Sequence, residues 1–213
     1  MKIKKENSEY ILSKLKEMHP TAGCELNYTT IYELLVAVIL SAQCTDKRVN
    51  IVTEKLFAEY NTPYKIVELG EEGLKRYIFS CGFYNNKAHN IIEMSKELIE
   101  KYNGDVPTDF EKLNSLAGVG RKTASVVLSV GLNIPAMPVD THVNRVSKRL
   151  GLSNGNNVEK VEEDLCKLFP EEDWNSLHHS MIFHGRYICH SRNPECDRCL
   201  LYEQCPSKDK ITK

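Results

Sequence analysis

Apolar residues recur at helical spacing along almost the whole chain. Three stretches illustrate the pattern: Ile11, Leu12, Leu15 and Met18; Val49, Val52, Leu56 and Phe57; and Ala88, Ile91, Ile92, Leu98 and Ile99. This spacing places apolar side chains on one face of a helix, whereas a half-buried strand requires alternation with a period of two. No long stretch alternates in this way, so the sequence predicts an all-α protein.

Residues that start and end helices agree with this pattern. Asp46, after Thr45, is a plausible helix cap, and Pro63 suits a first helical turn. Glycines follow helical runs at Gly104, Gly131 and Gly151. The most apolar run, Ile31 to Leu40, could also form a buried strand, but its helix-like beginning favours a helix.

The composition is typical of a soluble protein with a sizeable core. The 213 residues are 41% hydrophobic and 27% charged, enough for one large domain or two small ones. The apolar run is shorter than the roughly 20 residues of a membrane helix, and no apolar segment of a secretory signal follows the amino terminus. We therefore expect a cytoplasmic protein with no membrane partner. The net charge of -1 argues, by itself, against a nucleic-acid partner.

The carboxyl-terminal region is rich in cysteine. Four of the eight cysteines lie within 17 residues, spaced Cys-x6-Cys-x2-Cys-x5-Cys: Cys189, Cys196, Cys199 and Cys205. Without an export signal, such cysteines are more typical of metal binding or free thiols than of disulfides. Four thiolates suit zinc or a 4Fe-4S cluster, and the uneven spacing in a single loop favours the cluster. The other four are interpreted as small buried hydrophobes: Cys24, Cys44, Cys81 and Cys166.

A glycine-rich turn, residues 118–120, lies between two helical runs. Gly118 and Gly120 let the backbone turn with positive φ and expose successive N–H groups, which can bind a phosphate. Arg121 and Lys122 then fall in a first helical turn, where the macrodipole disfavours positive charge, and this argues against a purely structural turn. The helix end, Arg121 and partial burial would lower the pKa of Lys122 and make its amine a nucleophile. The alternative is that Lys122 binds the same phosphate.

Asp140 lies where the next helical run should begin. A carboxylate there is expected to cap the helix, and capping alone would explain it. A capping carboxylate is also held rigidly, so it can take a proton from a nearby lysine or stabilise positive charge developing on a sugar.

Taken together, these motifs resemble the endonuclease III family of helix-hairpin-helix DNA glycosylases. The resemblance covers nearly the whole chain in five ordered segments: residues 40–46, 82–88, 116–124, 139–143 and 184–187, the last leading into the four cysteines. It implies an all-α, bilobed fold with a six-helix barrel domain at residues 24–134, which includes the helix-hairpin-helix motif. Residues 1–23 and 135–213 would form a second domain with a 4Fe-4S cluster.

The resemblance also implies an activity, that of a bifunctional DNA N-glycosylase and AP lyase of base excision repair. Lys122 would attack C1′ of a damaged nucleotide flipped out of the duplex and expel the base, and the resulting Schiff base would undergo β-elimination. Asp140 would take a proton and stabilise oxocarbenium-like charge. The partner would be double-stranded DNA with an oxidised pyrimidine or an abasic site, and the protein would be a monomer associated with the nucleoid. The implied ligands of the 4Fe-4S cluster are Cys189, Cys196, Cys199 and Cys205.

By the same resemblance, Gln43 inserts into the gap left by the flipped nucleotide, and Phe83 is a second wedge. The alternatives are a helix-end role for Gln43 and a place in the core for Phe83. The other implied DNA-binding residues are Gly118, Val119, Gly120, Arg121, His142, Arg145 and Arg192.

Two features depart from the family pattern. Ala117 replaces a common proline before the glycine turn, so the turn would be less rigid. The loop between the first two cluster cysteines is weakly basic, with Arg192 opposed by Glu195.

Charge is unevenly distributed along the chain, because residues 118–150 carry five basic side chains and one acidic side chain. Net charge therefore does not exclude DNA, and few phosphate contacts predict a shallow salt dependence of binding.

Two other functions are compatible with parts of this pattern. A monofunctional adenine glycosylase relative would lack the lysine at position 122 and would carry a further carboxyl-terminal domain, which we do not expect here. A non-catalytic helix-hairpin-helix module would bind DNA without needing both Lys122 and Asp140.

Overall fold

The computed structural model describes residues 5–211, and within that range its regular structure is helical, with no β-strand. The prediction of an all-α protein is confirmed. The α-helices are α1 (Lys5–Met18), α2 (Ile31–Ser41), α3 (Asp46–Phe57), α4 (Pro63–Ile78), α5 (Tyr84–Tyr102), α6 (Phe110–Asn114), α7 (Arg121–Val126), α8 (Thr141–Arg149), α9 (Val158–Leu168) and α10 (Trp174–Tyr187). α7 continues into a π-helical turn at Val127–Gly131.

These elements form two compact units. One unit is Glu25–Ile134, here called the hairpin unit because it contains the glycine turn. The other unit comprises the described residues on either side of it and is called the cysteine unit. Among residues 5–211, none of the helices combines the length and the apolar character needed to cross a membrane.

Helix α2 lies at the core of the hairpin unit. Every residue from Tyr32 to Leu40 is buried, and α2 packs against α3, α5 and α7. A helix that is apolar on nearly all sides requires neighbours of this kind. Thr30 caps α2 by accepting a hydrogen bond from the Glu33 N–H at 3.1 Å. The helix interpretation of this run is confirmed.

Local signals set where the neighbouring helices begin. Pro63 occupies the first turn of α4, as predicted. Asp46 is not the cap of α3, because the Thr45 side chain accepts the hydrogen bond from the Arg48 N–H at 3.3 Å. Asp46 is instead the first helical residue, where its negative charge suits the helix macrodipole.

In the cysteine unit, α10 packs against both α1 and α8. The core residues between these helices are apolar and fully buried, and they include Leu15, Val143, Val146, Leu177 and Met181. The apolar face of α8 is thereby fixed, and this sets the direction of its first turn.

The cysteines outside the carboxyl-terminal group differ from the prediction. Cys81 is 1% exposed, but Cys24, Cys44 and Cys166 are only partly buried. The interpretation as buried hydrophobes is therefore correct for Cys81 and wrong for the other three. Cys24 and Cys44 lie in connections between helices, where side chains reach the surface more easily.

Candidate functional site

The predicted hairpin consists of α6, a turn and α7, and its two glycines differ. Gly118 has a φ of 74°, which favours glycine, and a Cβ at this position would lie 2.7 Å from the Asn90 side chain. Gly120 caps α7 with a φ of -87° and a ψ of 173°, an extended conformation that any residue adopts. The expectation of positive φ at both glycines is therefore wrong for Gly120. The space that a Cβ at Gly120 would face is open.

Val119 holds the turn from the inside. Its side chain is buried, and its N–H donates to the Leu116 carbonyl at 3.0 Å. Val119 therefore offers neither its side chain nor its N–H to a ligand, which corrects the expectation that successive N–H groups are exposed. The start of α7 at Gly120 has no side-chain cap.

The two predicted cations lie in the first turn of α7. Arg121 and Lys122 are both exposed, and the Arg121 guanidinium stands 5.1 Å from the centre of the Phe110 ring. This distance permits a cation–π contact that orients the arginine. The expectation that Lys122 is partly buried is wrong. Its amine is instead accessible to a ligand at a positive helix end.

Ala117 is tied to the rest of the hairpin unit by a contact that the sequence did not predict. Its N–H donates to Glu97 Oε1 on α5 at 3.3 Å, and Glu97 Oε2 accepts from Lys101 Nζ at 2.7 Å. A proline at this position would have no N–H to donate. The turn therefore has a hydrogen bond from a neighbouring helix in place of the ring constraint, so the expected loss of rigidity is at least partly compensated.

Asp140 is the N-cap of α8, as predicted. Its Oδ1 accepts hydrogen bonds from the N–H groups of His142 and Val143, both at 2.8 Å, and its Oδ2 lies 3.1 Å from His142 Nδ1. The side chain is 13% exposed. Three contacts on two oxygens hold the carboxylate in one orientation, which is the property that a catalytic carboxylate needs.

Arg145 has an internal role that differs from the predicted DNA contact. Its Nη2 donates to the Gly185 carbonyl at 2.8 Å and its Nε to the Cys189 carbonyl at 3.2 Å. The guanidinium thus binds the end of α10 and the first cysteine of the carboxyl-terminal group to α8. His142 packs on the same helix, since a Cβ at Gly185 would lie 2.9 Å from the His142 Cβ.

Gln43 and Phe83 lie in two turns whose backbones meet. A Cβ at Gly82 would be 3.3 Å from the Gln43 carbonyl oxygen. Both residues have left-handed backbones, with φ of 53° at Gln43 and 57° at Phe83, which is uncommon for residues other than glycine. Phe83 is 65% exposed, so its alternative place in the core is wrong. An exposed aromatic ring and an exposed amide thus extend from two neighbouring turns.

The four carboxyl-terminal cysteines line one cavity, together with Leu150 and Ile188. Burial raises the pKa of the Cys199 thiol to about 11, and the thiols of the other three act in the same direction. In the described part of the chain, no group of three or more His, Cys, Asp or Glu side chains is arranged to hold a metal ion. The thiols nevertheless face a common space with apolar walls, and four thiols are the donor set of a 4Fe-4S cluster.

Arg149 and His184 also line this cavity, and neither was predicted to take part in it. Arg149 Nη1 donates to Cys189 Sγ at 3.4 Å and to the His190 carbonyl at 2.6 Å. His184 is buried, with Nε2 3.8 Å from Cys199 Sγ, and burial lowers its pKa to about 3. His184 lies close to Cys189 in the chain, and this proximity could have indicated its role. Arg149 lies 40 residues from Cys189, so nothing in the sequence indicated that it contacts the cysteine.

The negative charge of Glu195 in the cysteine loop is paired. Glu195 accepts a hydrogen bond from the Arg198 side chain and lies 3.4 Å from His190 Nε2. Both hydrogen bonds lower the pKa of Glu195, and the one from Arg198 has the larger effect. Glu195 therefore opposes the exposed Arg192 less than its formal charge suggested.

Comparison with known sequences gives a consistent result. Residues 36–171 match the family model described as HhH-GPD superfamily base excision DNA repair protein. Endonuclease III of Haemophilus influenzae is 50% identical over 201 residues, which cover 94% of this chain and 95% of the relative. Endonuclease III of Bacillus subtilis is 48% identical over 206 residues, which cover 96% of this chain and 94% of the relative.

Comparison with solved structures supports the same fold. A trapped endonuclease III–DNA covalent intermediate and a non-covalent endonuclease III–DNA complex both match with a TM-score of 0.92 and 47% identity, covering 98% of this chain and 97% of theirs. A thermostable thymine-DNA glycosylase matches with a TM-score of 0.86 at 23% identity, covering 95% of this chain and 97% of its own, and shows the fold alone.

Proposed function

This chain belongs to the HhH-GPD superfamily of base excision DNA repair proteins and, within it, to the endonuclease III family, and we propose which of its residues carry out the reaction. It is a bifunctional DNA N-glycosylase and AP lyase. The observation that carries the assignment to residues is the exposed amine of Lys122 at the first turn of α7. Its substrates would be oxidised or ring-saturated pyrimidines and abasic sites in double-stranded DNA, bound by a monomer.

Lys122 is the proposed nucleophile. Its unprotonated Nζ attacks the deoxyribose C1′, a new C1′–N bond forms, and the bond from C1′ to the base breaks with its electron pair leaving on the base. Opening of the sugar ring gives a Schiff base between Lys122 and C1′. Loss of a proton from C2′ then expels the phosphate at C3′, which breaks the strand. Exposure of the Lys122 side chain supports this role, because C1′ of an extruded nucleotide must reach it.

Asp140 is the proposed proton acceptor and charge stabiliser. Its Oδ1 is held by two backbone N–H groups of α8, so the orientation of the carboxylate does not have to be set when DNA binds. A fixed negative charge favours the oxocarbenium-like charge that develops as the base leaves. The capping contacts therefore support a catalytic role and do not compete with it.

DNA would be bound through backbone and side-chain groups of both units. In the hairpin unit, Gly118, Gly120 and Arg121 would meet a phosphate at the open start of α7, where the helix dipole favours an anion. Gln43 and Phe83 would enter the base stack, and the exposed ring of Phe83 supports this role. In the cysteine unit, His142 and the exposed Arg192 are the proposed contacts.

Cys189, Cys196, Cys199 and Cys205 would hold a 4Fe-4S cluster. The shared cavity and the Arg149 hydrogen bond to Cys189 Sγ support this proposal, since an N–H group stabilises a thiolate. When bound, the cluster supplies a cross-link of the cysteine loop and no redox step, because base excision and elimination require no net oxidation. Purified protein with a yellow-brown colour and equal amounts of iron and sulfide is expected. A colourless protein with stoichiometric zinc contradicts the proposal.

Borohydride trapping tests the nucleophile. The protein is incubated with a duplex containing one oxidised pyrimidine, and the reduced covalent complex is measured by gel shift. Lys122→Gln is expected to abolish the complex, because the amide cannot form a Schiff base. Lys112→Gln, a change of another exposed lysine in the same hairpin, is the matched control and is expected to trap like the parent. Trapping by Lys122→Gln at the parent level would show that another amine is the nucleophile.

A further inference from the structure

Lys87, in the first turn of α5, is a buried lysine. The residue is 6% exposed, and its Nζ donates to the Leu40 carbonyl at 2.8 Å and to the Ala42 carbonyl at 2.6 Å. Burial lowers the pKa of Lys87, because a charged group is costly to remove from water. These two hydrogen bonds at the end of α2 compensate for the lost hydration. They also fix the position of the ammonium group relative to the Leu40 and Ala42 carbonyls.

The end of α2 is suited to this cation. The last carbonyls of a helix have no partner within the helix, and they form the negative end of its dipole. The thiols of Cys44 and Cys81 also lie near Lys87, and burial raises the pKa of Cys81 to about 11, so that thiol is neutral. The charge of Lys87 is thus directed at the carbonyls that end α2.

Lys87 joins the two turns that carry the proposed wedge residues. The Ala42 carbonyl belongs to the peptide unit that leads into Gln43, so a hydrogen bond to it fixes the orientation of that peptide. On the other side, the Lys87 N–H donates to the Phe83 carbonyl at 3.1 Å and starts α5. One residue therefore contacts the backbone at Ala42 and at Phe83, next to the close approach of Gly82 to Gln43.

The two turns need such a support. Left-handed backbone costs a residue other than glycine roughly 1–2 kcal/mol, and it persists only where the surroundings hold it. Gln43 and Phe83 both have this conformation, and Gln43 is exposed, so side-chain packing does not fix it. The Cys44 N–H donates to the Ser41 carbonyl at 3.1 Å and closes the turn at Gln43, and the hydrogen bond from Lys87 then fixes the peptide between Ala42 and Gln43 within that turn.

We propose that Lys87 is a positioning residue that holds Gln43 and Phe83 ready for insertion into the base stack. It acts through the backbone at Ala42 and Phe83. The inference rests on the proposed wedge role of Gln43 and Phe83. A wedge that is already ordered loses less conformational freedom when DNA binds, so base extrusion is faster than with a mobile turn.

Stopped-flow fluorescence of 2-aminopurine placed beside the lesion measures the rate of extrusion. Lys87→Met keeps the length and packing of the side chain and removes its donors. It is expected to slow extrusion about ten- to a hundredfold in the otherwise unchanged protein. In a Gln43→Ala, Phe83→Ala background, the same change is expected to slow extrusion by less than about twofold, because there is no wedge left to position.

The controls separate the possible failures. Lys96→Met, at an exposed lysine of the same helix, is expected to leave extrusion unchanged. Equal slowing by Lys87→Met in both backgrounds overturns the positioning role, because it assigns the lysine to general folding. Extrusion at the parent rate by the Gln43→Ala, Phe83→Ala protein overturns the wedge role itself. Borohydride trapping of that protein on an abasic-site duplex reports separately on Lys122.

Two further variants keep the test decisive. Lys87→Arg retains a charged donor at this position and is expected to restore most of the extrusion rate. If Lys87→Met does not fold, Lys87→Gln, which can donate to one carbonyl without charge, is measured in the same two backgrounds. An extrusion rate for Lys87→Gln that changes equally in both backgrounds contradicts the proposal in the same way.

Discussion

The starts of α7 and α8 show two opposite solutions for a helix end. α7 begins at Gly120 with no side-chain cap and has Arg121 and Lys122 in its first turn. α8 begins at Asp140, whose carboxylate binds two N–H groups of the helix. An end without a cap keeps its positive dipole for an external anion, whereas a capped end is satisfied internally and fixes a carboxylate. The start of α7 is therefore suited to bind an anion, and the start of α8 is suited to hold a reacting carboxylate.

The largest expected effect comes from removing the charge at α8 without removing the cap. Asp140→Asn should lower the rate of base excision by about 10²- to 10⁴-fold. Its thermal midpoint should stay close to that of the parent, because asparagine caps helices as well as aspartate does. Single-turnover excision and thermal unfolding measure the two quantities.

Asp109→Asn is the matched control, because Asp109 caps α6 by accepting from the Lys112 N–H at 2.9 Å. It should leave excision unchanged. Asp140→Ala should lose the cap as well, and this should lower the free energy of unfolding by about 1 kcal/mol. If Asp140→Asn excises at the parent rate, the carboxylate of Asp140 serves only as a cap.

The next effect is expected from closing the open start of α7. Gly120→Asp should weaken DNA binding about tenfold, because a carboxylate would occupy the anion site and repel phosphate. Backbone and space both permit the change, since Gly120 is extended and nothing lies within 4 Å of a Cβ there. Gly23→Asp adds the same charge elsewhere and is the control, with equilibrium DNA binding as the measurement. Equal affinities of the two variants would mean that this helix start binds no phosphate.

A smaller effect, on the salt dependence of DNA binding, should distinguish Arg121 of α7 from Arg145 of α8. Arg121→Gln should reduce the slope of log affinity against log salt by about 0.9, the value for one phosphate contact. Arg145→Gln should leave the slope unchanged, because Arg145 binds the Gly185 and Cys189 carbonyls. It should instead lower the free energy of unfolding by about 1–3 kcal/mol. The slope of the parent itself should be shallow. A slope change for Arg145→Gln but not for Arg121→Gln would mean that Arg145, and not Arg121, contacts a phosphate.

The smallest effect concerns the support of the glycine turn. Glu97→Ala should lower the free energy of unfolding by about 1 kcal/mol, because the Ala117 N–H loses its partner. In an Ala117→Pro background the same change should matter less, since proline has no N–H. Glu93→Ala, on the same helix and also paired with a lysine, is the control for the lost ion pair. Chemical denaturation measures the parent, the three single variants and the double variant, and equal losses in both backgrounds would exclude the hydrogen bond as the cause.

Predictions from the sequence are confirmed where short-range chemistry decides the structure. The all-α class, the helix over residues 31–40 and the cap at Asp140 follow from periodicity and from residue types next to helix starts, and all three are confirmed. Asp46 was assigned as a cap although Thr45 is the cap, because adjacent candidates have similar propensities. The roles of Lys122, Asp140 and the DNA-contacting residues depend on the family resemblance and stay predictions until the variants are measured.

The residues that reasoning from sequence missed act over long separations. Glu97 binds the N–H of Ala117, Arg149 binds the sulfur of Cys189, and Lys87 binds the carbonyl of Ala42, 45 residues earlier. A glutamate, an arginine and a lysine in helical runs all have the appearance of ordinary surface charges. Exposure of Lys122 and internal pairing of Arg145 were likewise invisible, because burial depends on which elements pack together.

The sequence by itself determined the helices, the open glycine start of α7, the carboxylate at α8 and the four closely spaced cysteines, because propensity, capping and spacing act within a few residues. Only the tertiary structure decided that Gly120 is extended, that the Ala117 turn is held by Glu97, and that a buried lysine links the turns of Gln43 and Phe83. The physical reason is that these contacts join segments distant in the chain, and their partners are chosen by the packing of whole helices.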